Sequence, residues 1–367
     1  MPKYTPLVDS LPSTVPFVGP ETQERARGKE FLARVGANEC VFGPSPKAIE
    51  AMSKAAVDVW KYGDPENHDL RTALANHHGV GMENIVVGEG IDGLLGYLAR
   101  MLVEQDTPVV TSLGAYPTFN FHVAGFGGRL VTVPYKDDSE DPDALLEAAK
   151  RENAPLVYFA NPDNPMGSWH SADRVQTMID TVPDGCLLCL DEAYGEFAPD
   201  GSLPDIDVSN QRVIRMRTFS KAYGMAGARV GYGIAHADIA TAFNKVRNHF
   251  GVNRIAQAGA LAALKDRDWL KHVKASVKSS NEKISKLARA NGLTPLPSAT
   301  NFVTIDCGQD GVYAKRCVEE LVKRNVFVRM PFVEPQNRCI RISSGTDAHL
   351  EILAEQLPLA LKAAQTA

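Results

Sequence analysis

The chain has 367 residues, 44% of them hydrophobic and 23% charged, with 39 Lys and Arg against 44 Asp and Glu and a formal net charge of −5. That length exceeds what one hydrophobic core usually fills, so a large domain with a smaller companion is expected. The acidic balance argues against nucleic acid as a partner, and no apolar run reaches the ~20 residues that span a bilayer.

The first residues, MPKYTPLVDSLPSTVPFVG, lack the basic start and apolar stretch of a signal peptide, which points to a cytoplasmic protein. Residues 1–40 are proline-rich with few periodic apolar positions. They read as an irregular arm that packs on the smaller domain or on a neighbouring chain. From 41 to 260 short β-rich runs alternate with helical patterns. The runs are 84–90, 107–114, 128–135, 155–162, 186–194, 213–220 and 229–235, and the helices between them include DGLLGYLARMLVEQ, PDALLEAAKREN and SADRVQTMIDTV. Such alternation predicts an α/β fold, a mainly parallel central sheet covered by helices. After a helical stretch near 237–249 the texture changes. A long polar helix over 269–290 precedes NFVTIDC, a helix near 311–324, VFVRM, CIRIS and a final helix. Residues 261–367 therefore read as a smaller α+β domain.

Six cysteines in a chain this long do not form a disulfide framework. Cys186 and Cys189 make a CxxC within an apolar run of strand length, where residues three apart point to opposite faces, so no metal site is read there. His77 and His78 precede Gly79 at the end of a helical pattern and suit a helix C-terminus.

In an open α/β sheet, ligands bind beyond the carboxyl ends of the strands, and the chemically informative residues gather at those ends. Gly88, Gly90 and Gly93 fit the GxGxxG of a dinucleotide site literally. The next strand, however, ends in VVTSLGAY without the acidic residue such a site needs for the ribose. What remains is a helix start that a phosphate can approach closely. Lys221 follows another strand, in TFSKAYGMAGARVG, with small residues around it and Ser220 and Arg229 nearby for a phosphate dianion. A surface lysine is the bland alternative. An amine nucleophile beside a phosphate cradle suits a phosphorylated carbonyl cofactor. Asp191 ends an apolar strand, where a carboxylate needs a partner. It could keep a ring nitrogen protonated, or merely cap a helix or pair within the core. Tyr194 and Asn164 can donate hydrogen bonds to a ring oxygen. Tyr116 is placed either to stack on a planar ring or to pack in the core.

These segments resemble the fold-type-I pyridoxal-phosphate aminotransferases, and among them the histidinol-phosphate aminotransferase-like branch. The matching pieces are ANECVFGPSP, YGDPENHDLRTALA, GEGIDG, NPDNPMG, DEAY, SKAYGMAGAR and IRISSGT, in the expected order along nearly the whole chain. The resemblance implies that Lys221 carries pyridoxal 5'-phosphate as a Schiff base and then shuttles the proton. Asp191 would face the pyridine nitrogen, Tyr194 and Asn164 the 3-hydroxyl, and Tyr116 the ring. Ser220, Arg229 and the backbone of Gly90, Ile91 and Asp92 would hold the phosphate, with Thr218 assisting and Tyr62 reaching in from a second subunit of a homodimer. Arg341 would grip the substrate's carboxylate or phosphate ester, with Arg329 and Asn38 as further substrate contacts; a solvated strand-end charge is the alternative for both arginines.

The implied reaction is a ping-pong transfer of an amino group from a small-molecule donor to a keto or aldehyde acceptor in amino-acid metabolism. A decarboxylase of the threonine-phosphate type is the other activity found on this scaffold. The chain departs from the family pattern in reading NPMG for NPTG and ANECV for ANENP. It also carries Phe250 where some members place a tyrosine that helps bind substrate phosphate.

Overall fold

The computed structural model describes residues 2–13 and 18–366. Residues 1, 14–17 and 367, which belong to the expected arm and the chain end, lie outside them. The strands in chain order are β1 (Ala33–Arg34), β2 (Ile85–Gly88), β3 (Pro108–Ser112), β4 (Arg129–Val133), β5 (Leu156–Ala160) and β6 (Leu187–Asp191). Then follow β7 (Val213–Thr218), β8 (Gly231–Ala235), β9 (Thr294–Pro295), β10 (Phe302–Asp306), β11 (Val326–Phe327) and β12 (Cys339–Ser343).

The large sheet has seven strands in the order β2-β8-β7-β6-β5-β3-β4. Its pairs are parallel except that β8 runs against both β2 and β7. Two reversals cancel, so β2 points the same way as β5, β6 and β7, and their carboxyl ends share one rim. All five residues of β5 are buried, as a strand covered on both faces requires. The two-residue alternation sends Tyr158 into one core with Leu94, Leu98, Phe119 and Met216. It sends Val157 and Phe159 into another with Leu145, Ile179 and Leu188. The CxxC divides the same way, Cys189 joining the first core and Cys186 the second. The helix His68–His78 ends as expected, at Gly79 in the left-handed region.

Apart from the packing on the two faces of the large sheet, a separate core forms around the antiparallel sheet β12-β10-β9 and the parallel pair β1–β11, covered by helices Arg267–Ala290, Gly311–Lys323 and Asp347–Thr366. Ala33 and Val35 belong to it, and Val35 O accepts from Ser343 N at 2.7 Å. The N-terminal segment is thus less irregular than its prolines suggest. Pro6 and Pro20 open the short helices Pro6–Ser10 and Pro20–Arg27, because proline's fixed φ suits a first turn that lacks hydrogen-bonded N–H groups. The helix expected near 237–249 ends early, at Ala242, and passes into a tighter turn as Phe243 is drawn fully into the core. No helix among the described residues is long and apolar enough to cross a membrane.

Beside the shared rim, Glu192 is fully buried between two arginines. Arg215 Nη2 donates to it at 2.6 Å and Arg217 Nε at 2.9 Å. Burial works to raise its carboxyl, and the two guanidiniums overcome that and hold it below the usual range. Removing one partner of such a cluster leaves buried charge uncompensated, which costs about 3–5 kcal/mol. Glu192→Gln should lower the unfolding free energy by about that amount, read from a denaturant titration.

Candidate active site

The shared rim encloses a cavity of about 190 Å³. Lys221, Asp191, Tyr194, Asn164 and Tyr116 line it, as do Ile91, Asp92, Thr218, Ser220 and Arg229 from the large sheet's rim. Asn38 and Arg341 close it from the other side, so strands of both cores contribute. Gly90 opens the helix Gly90–Leu102 directly beside it. Two residues named from the sequence are not brought to this chain's cavity. Tyr62 is 77% exposed, its ring 4.7 Å from that of Phe250. Arg329 is half-buried, pairs through its backbone with Arg341, and gives Nη2 to the carbonyl of Val18.

One end of the cavity has the donors that a tetrahedral anion needs. The helix Gly90–Leu102 starts without any side-chain cap, so its first N–H groups keep their hydrogen-bonding capacity. Gly90 sits at φ +75°, and a Cβ there would collide with Nη2 of Arg229. A Cβ at Gly231 would lie 2.6 Å from the carbonyl carbon of Gly90. The guanidinium of Arg229 reaches Ser220 Oγ at 3.3 Å and the carbonyl of Ala226 at 3.1 Å. Thr218 works from behind: its Oγ1 accepts from Ser220 N at 3.0 Å and donates to Val230 O at 3.3 Å. Asp92 turns its carboxylate outward to His122, 2.9 Å away.

At the opposite wall Asp191 accepts two hydrogen bonds, from Tyr158 OH at 2.7 Å and Ala193 N at 2.9 Å. Neither donor is a cation, and burial pushes the carboxyl above its usual range. A cationic ring nitrogen would supply the missing charge. Tyr194 accepts from Asn38 Nδ2 at 3.0 Å, and burial raises its phenol to about 12. Arg341 Nη1 donates to Asn164 Oδ1, its guanidinium lies 5.2 Å from the Phe302 ring, and its Nε is buried without an acceptor. A phosphate cradle at an uncapped helix start, a carboxylate lacking a cation and an orphaned guanidinium N–H all fit a phosphorylated, ring-bearing cofactor with an anionic substrate.

Tyr158 escaped the sequence reading, because PLVYFANP announces a strand core and nothing more. Its signal is register: Ala160 pairs with Asp191, and Tyr158 lies two residues back on the same face. Asn301 and Ser343 were missed likewise. Asn301 Nδ2 donates to Asn38 O at 3.1 Å, and Ser343 Oγ accepts from Asn38 N at 2.9 Å, which fixes Asn38 at φ +56°.

Lys221 Nζ donates to Asn38 O at 3.1 Å and lies 5.5 Å from the Tyr194 ring centroid. Burial, then Arg341 and Arg229, lower its ammonium from 10.5 to about 8. The amine therefore becomes neutral, and nucleophilic, at a lower pH than a free lysine. In protein stripped of small molecules, trinitrobenzenesulfonate labelling of Lys221, followed by peptide mass, should rise with pH to a midpoint near 8. A midpoint near that of surface lysines would show that the cavity does not tune it.

Residues 32–357 match the model of the family "Aminotransferase class I and II". The chain is 35% identical to histidinol-phosphate aminotransferase 1 of Mesorhizobium japonicum, over 86% of this chain and 87% of that protein. It is 33% identical to histidinol-phosphate aminotransferase 1 of Nitrosococcus oceani, over 89% and 88%. Among solved structures it superposes on histidinol-phosphate aminotransferase from Sinorhizobium meliloti in complex with pyridoxal-5'-phosphate. That match has a TM-score of 0.97 and 55% identity, covering 99% of this chain and 98% of the other. The chain belongs to the class I and II aminotransferases, in their histidinol-phosphate aminotransferase-like branch, and is a pyridoxal-phosphate-dependent enzyme.

Proposed function

We propose that this aminotransferase acts in amino-acid metabolism on a small amine bearing a carboxylate or a phosphate ester, histidinol phosphate being the first candidate. The observation that carries the anionic requirement is Arg341, a cavity guanidinium whose Nε has no acceptor. The relatives' names support the candidate.

When bound, pyridoxal phosphate supplies a carbonyl that condenses with amines and a ring that draws electrons from the α-carbon. The chain's residues would do the rest. Ser220, Arg229 and the N–H groups of Gly90, Ile91 and Asp92 would hold the phosphate, with Thr218 bracing Ser220. Asp191 would hold the ring nitrogen's proton through its negative charge. Tyr194 and Asn164 would donate to the ring oxygen, and Tyr116 would cover a ring face. Lys221 would hold the cofactor covalently; once displaced by the donor, its Nζ would take the substrate's α-proton and return it to the cofactor. Arg341, aided by Asn38 and by the positive field of Arg329, would orient the substrate's anionic group.

A panel of amino donors that includes histidinol phosphate, read by the absorbance change from the aldehyde to the amine form of the cofactor, tests this reading. Keto or aldehyde product without carbon dioxide is expected, whereas carbon dioxide release would favour the decarboxylase. Lys221→Ala should lose the cofactor label that borohydride fixes in the parent, and a label that maps to another lysine refutes the assignment.

The exposed Tyr62, together with exposed Val57, Val59 and Trp60, supports a homodimer in which Tyr62 serves the partner's phosphate. A cytoplasmic location accords with this metabolic role. Mixed dimers of one Lys221→Ala chain and one Tyr62→Ala chain would then hold one intact site and one doubly damaged site. Activity should return on mixing, provided each parent homodimer is folded and nearly inactive. No recovery would mean that Tyr62 serves its own chain.

A further inference from the structure

Ser343, Asn38 and Tyr194 are joined by a row of hydrogen bonds whose directions one backbone group fixes. Ser343 ends β12 and Asn38 lies between it and Tyr194; all three are buried. Asn38 N donates to Ser343 Oγ at 2.9 Å, and a backbone N–H can only donate. The hydroxyl oxygen is therefore an acceptor there, and its proton goes to its second contact, Asn38 Oδ1 at 3.0 Å. Were the amide turned over, Ser343 Oγ would accept twice and its proton would be left without an acceptor inside the protein, which is costly. The amide thus keeps Oδ1 toward Ser343 and Nδ2 toward Tyr194, where Nδ2 donates to the phenol oxygen at 3.0 Å.

The phenol accepts that bond and makes none as a donor among the described residues, so its proton is left for the cavity it lines. Both neighbours in the row are held firmly. Ser343 N donates to Val35 O at 2.7 Å, and Asn38 O accepts from Asn301 Nδ2 and Lys221 Nζ, each at 3.1 Å. The Phe302 ring packs edge-on against the Tyr194 ring, with centroids 5.5 Å apart. Arg341, Asp191 and Lys221 share the cavity with the phenol, Lys221 Nζ lying 5.5 Å from its ring centroid, and Asp163 also acts on it.

We propose that Ser343 and Asn38 are positioning residues: the Ser343 hydroxyl orients the Asn38 amide, and the amide makes Tyr194 accept from it and give its own proton to the cofactor's ring oxygen. The inference rests on the reading of Tyr194 as a donor to that oxygen. Such a bond stabilises the oxygen's negative charge most when the neighbouring nitrogen is neutral. It therefore lowers the pKa of the nitrogen through which Lys221 holds the cofactor. An amide free to turn would present Oδ1 to the phenol and draw the proton away from the cavity. A serine of the core around β10 and β12 thereby aims a proton on the large sheet's rim.

The test is a pH titration of the holoenzyme's absorbance, whose midpoint reports that nitrogen without turnover. Tyr194→Phe should raise the midpoint by about one unit, and Ser343→Ala by about half a unit in the same direction. With Tyr194→Phe already in place, Ser343→Ala should add nothing, because no phenol proton remains to be aimed. Ser343→Thr keeps the hydroxyl and should keep the parent's midpoint. Asn38→Asp serves if Ser343→Ala does not fold, since a carboxylate cannot donate to the phenol and instead takes its proton. Its rise should be larger in the parent than in Tyr194→Phe, because the added charge acts in both and the diverted proton only in the first. A merely structural Ser343 would lower stability or cofactor affinity and leave the midpoint where it was, which overturns the proposal. A Ser343→Ala shift that persists in Tyr194→Phe, or an equal Asn38→Asp rise in both backgrounds, overturns it too. If Tyr194→Phe itself leaves the midpoint unchanged, the reading of Tyr194 falls and the proposal with it. If Tyr194→Phe raises the midpoint and Ser343→Ala does not, only the proposal falls.

Discussion

Lys221, Arg229 and Arg341 share one cavity of about 190 Å³, where burial disfavours the charges of Lys221 and Arg341. Arg341 and Arg229 both depress the ammonium of Lys221. This crowding of like charge shapes the rest of the site. It keeps the lysine available as a neutral nucleophile, and it leaves two guanidiniums bonded only by neutral acceptors. In the proposed roles, a phosphate at Arg229 and a substrate anion at Arg341 would relieve the repulsion at opposite ends. Asp191 would face the ring between them; it is buried and bonded by neutral donors alone.

The protein resists this strain through rigid supports. Six strands, β2 to β7, point the same way, and β2 joins the others because β8 runs against both β2 and β7. Glu192, next to Asp191, is locked by Arg215 and Arg217, so the backbone that presents Asp191 is anchored on its far side. Asn38 is fixed by Ser343 and Asn301, which brings the second core's residues to the cavity wall.

Much of this was legible in the sequence, because the chemistry sits at strand ends and those ends are marked by apolar runs that stop at polar residues. Lys221, Asp191, Asn164 and Ser220 could be named that way. Register and direction could not be read. Tyr158 lies inside a strand pattern, and only its alignment with Asp191 reveals its hydroxyl. The antiparallel course of β8 was equally hidden, since an apolar run looks the same in either direction. The prolines of the N-terminal segment suggested irregularity, yet Pro6 and Pro20 mark helix starts. Tyr62 and Arg329 lie away from this chain's own cavity, and no spacing rule could have placed them.

The reversal at β8 has a further consequence. Because β7 and β8 pair as a hairpin, with Thr218 opposite Gly231, the segment 219–230 is a closed loop and not a crossover. It carries Lys221 near one foot and Arg229 near the other. Phe219 N bonds Val230 O, Met225 N bonds Phe219 O, and Gly224 packs where any Cβ would strike the carbonyl of Gly43. The distance between the Lys221 amine and the Arg229 guanidinium is thus a property of one short piece of chain, whatever the two cores do relative to each other. Surface loops elsewhere can lengthen at small entropic cost. Here an inserted residue would separate Lys221 from Arg229 and so, in their proposed roles, covalent attachment from phosphate anchoring; natural and engineered variation should spare the length of this loop even where it changes the composition.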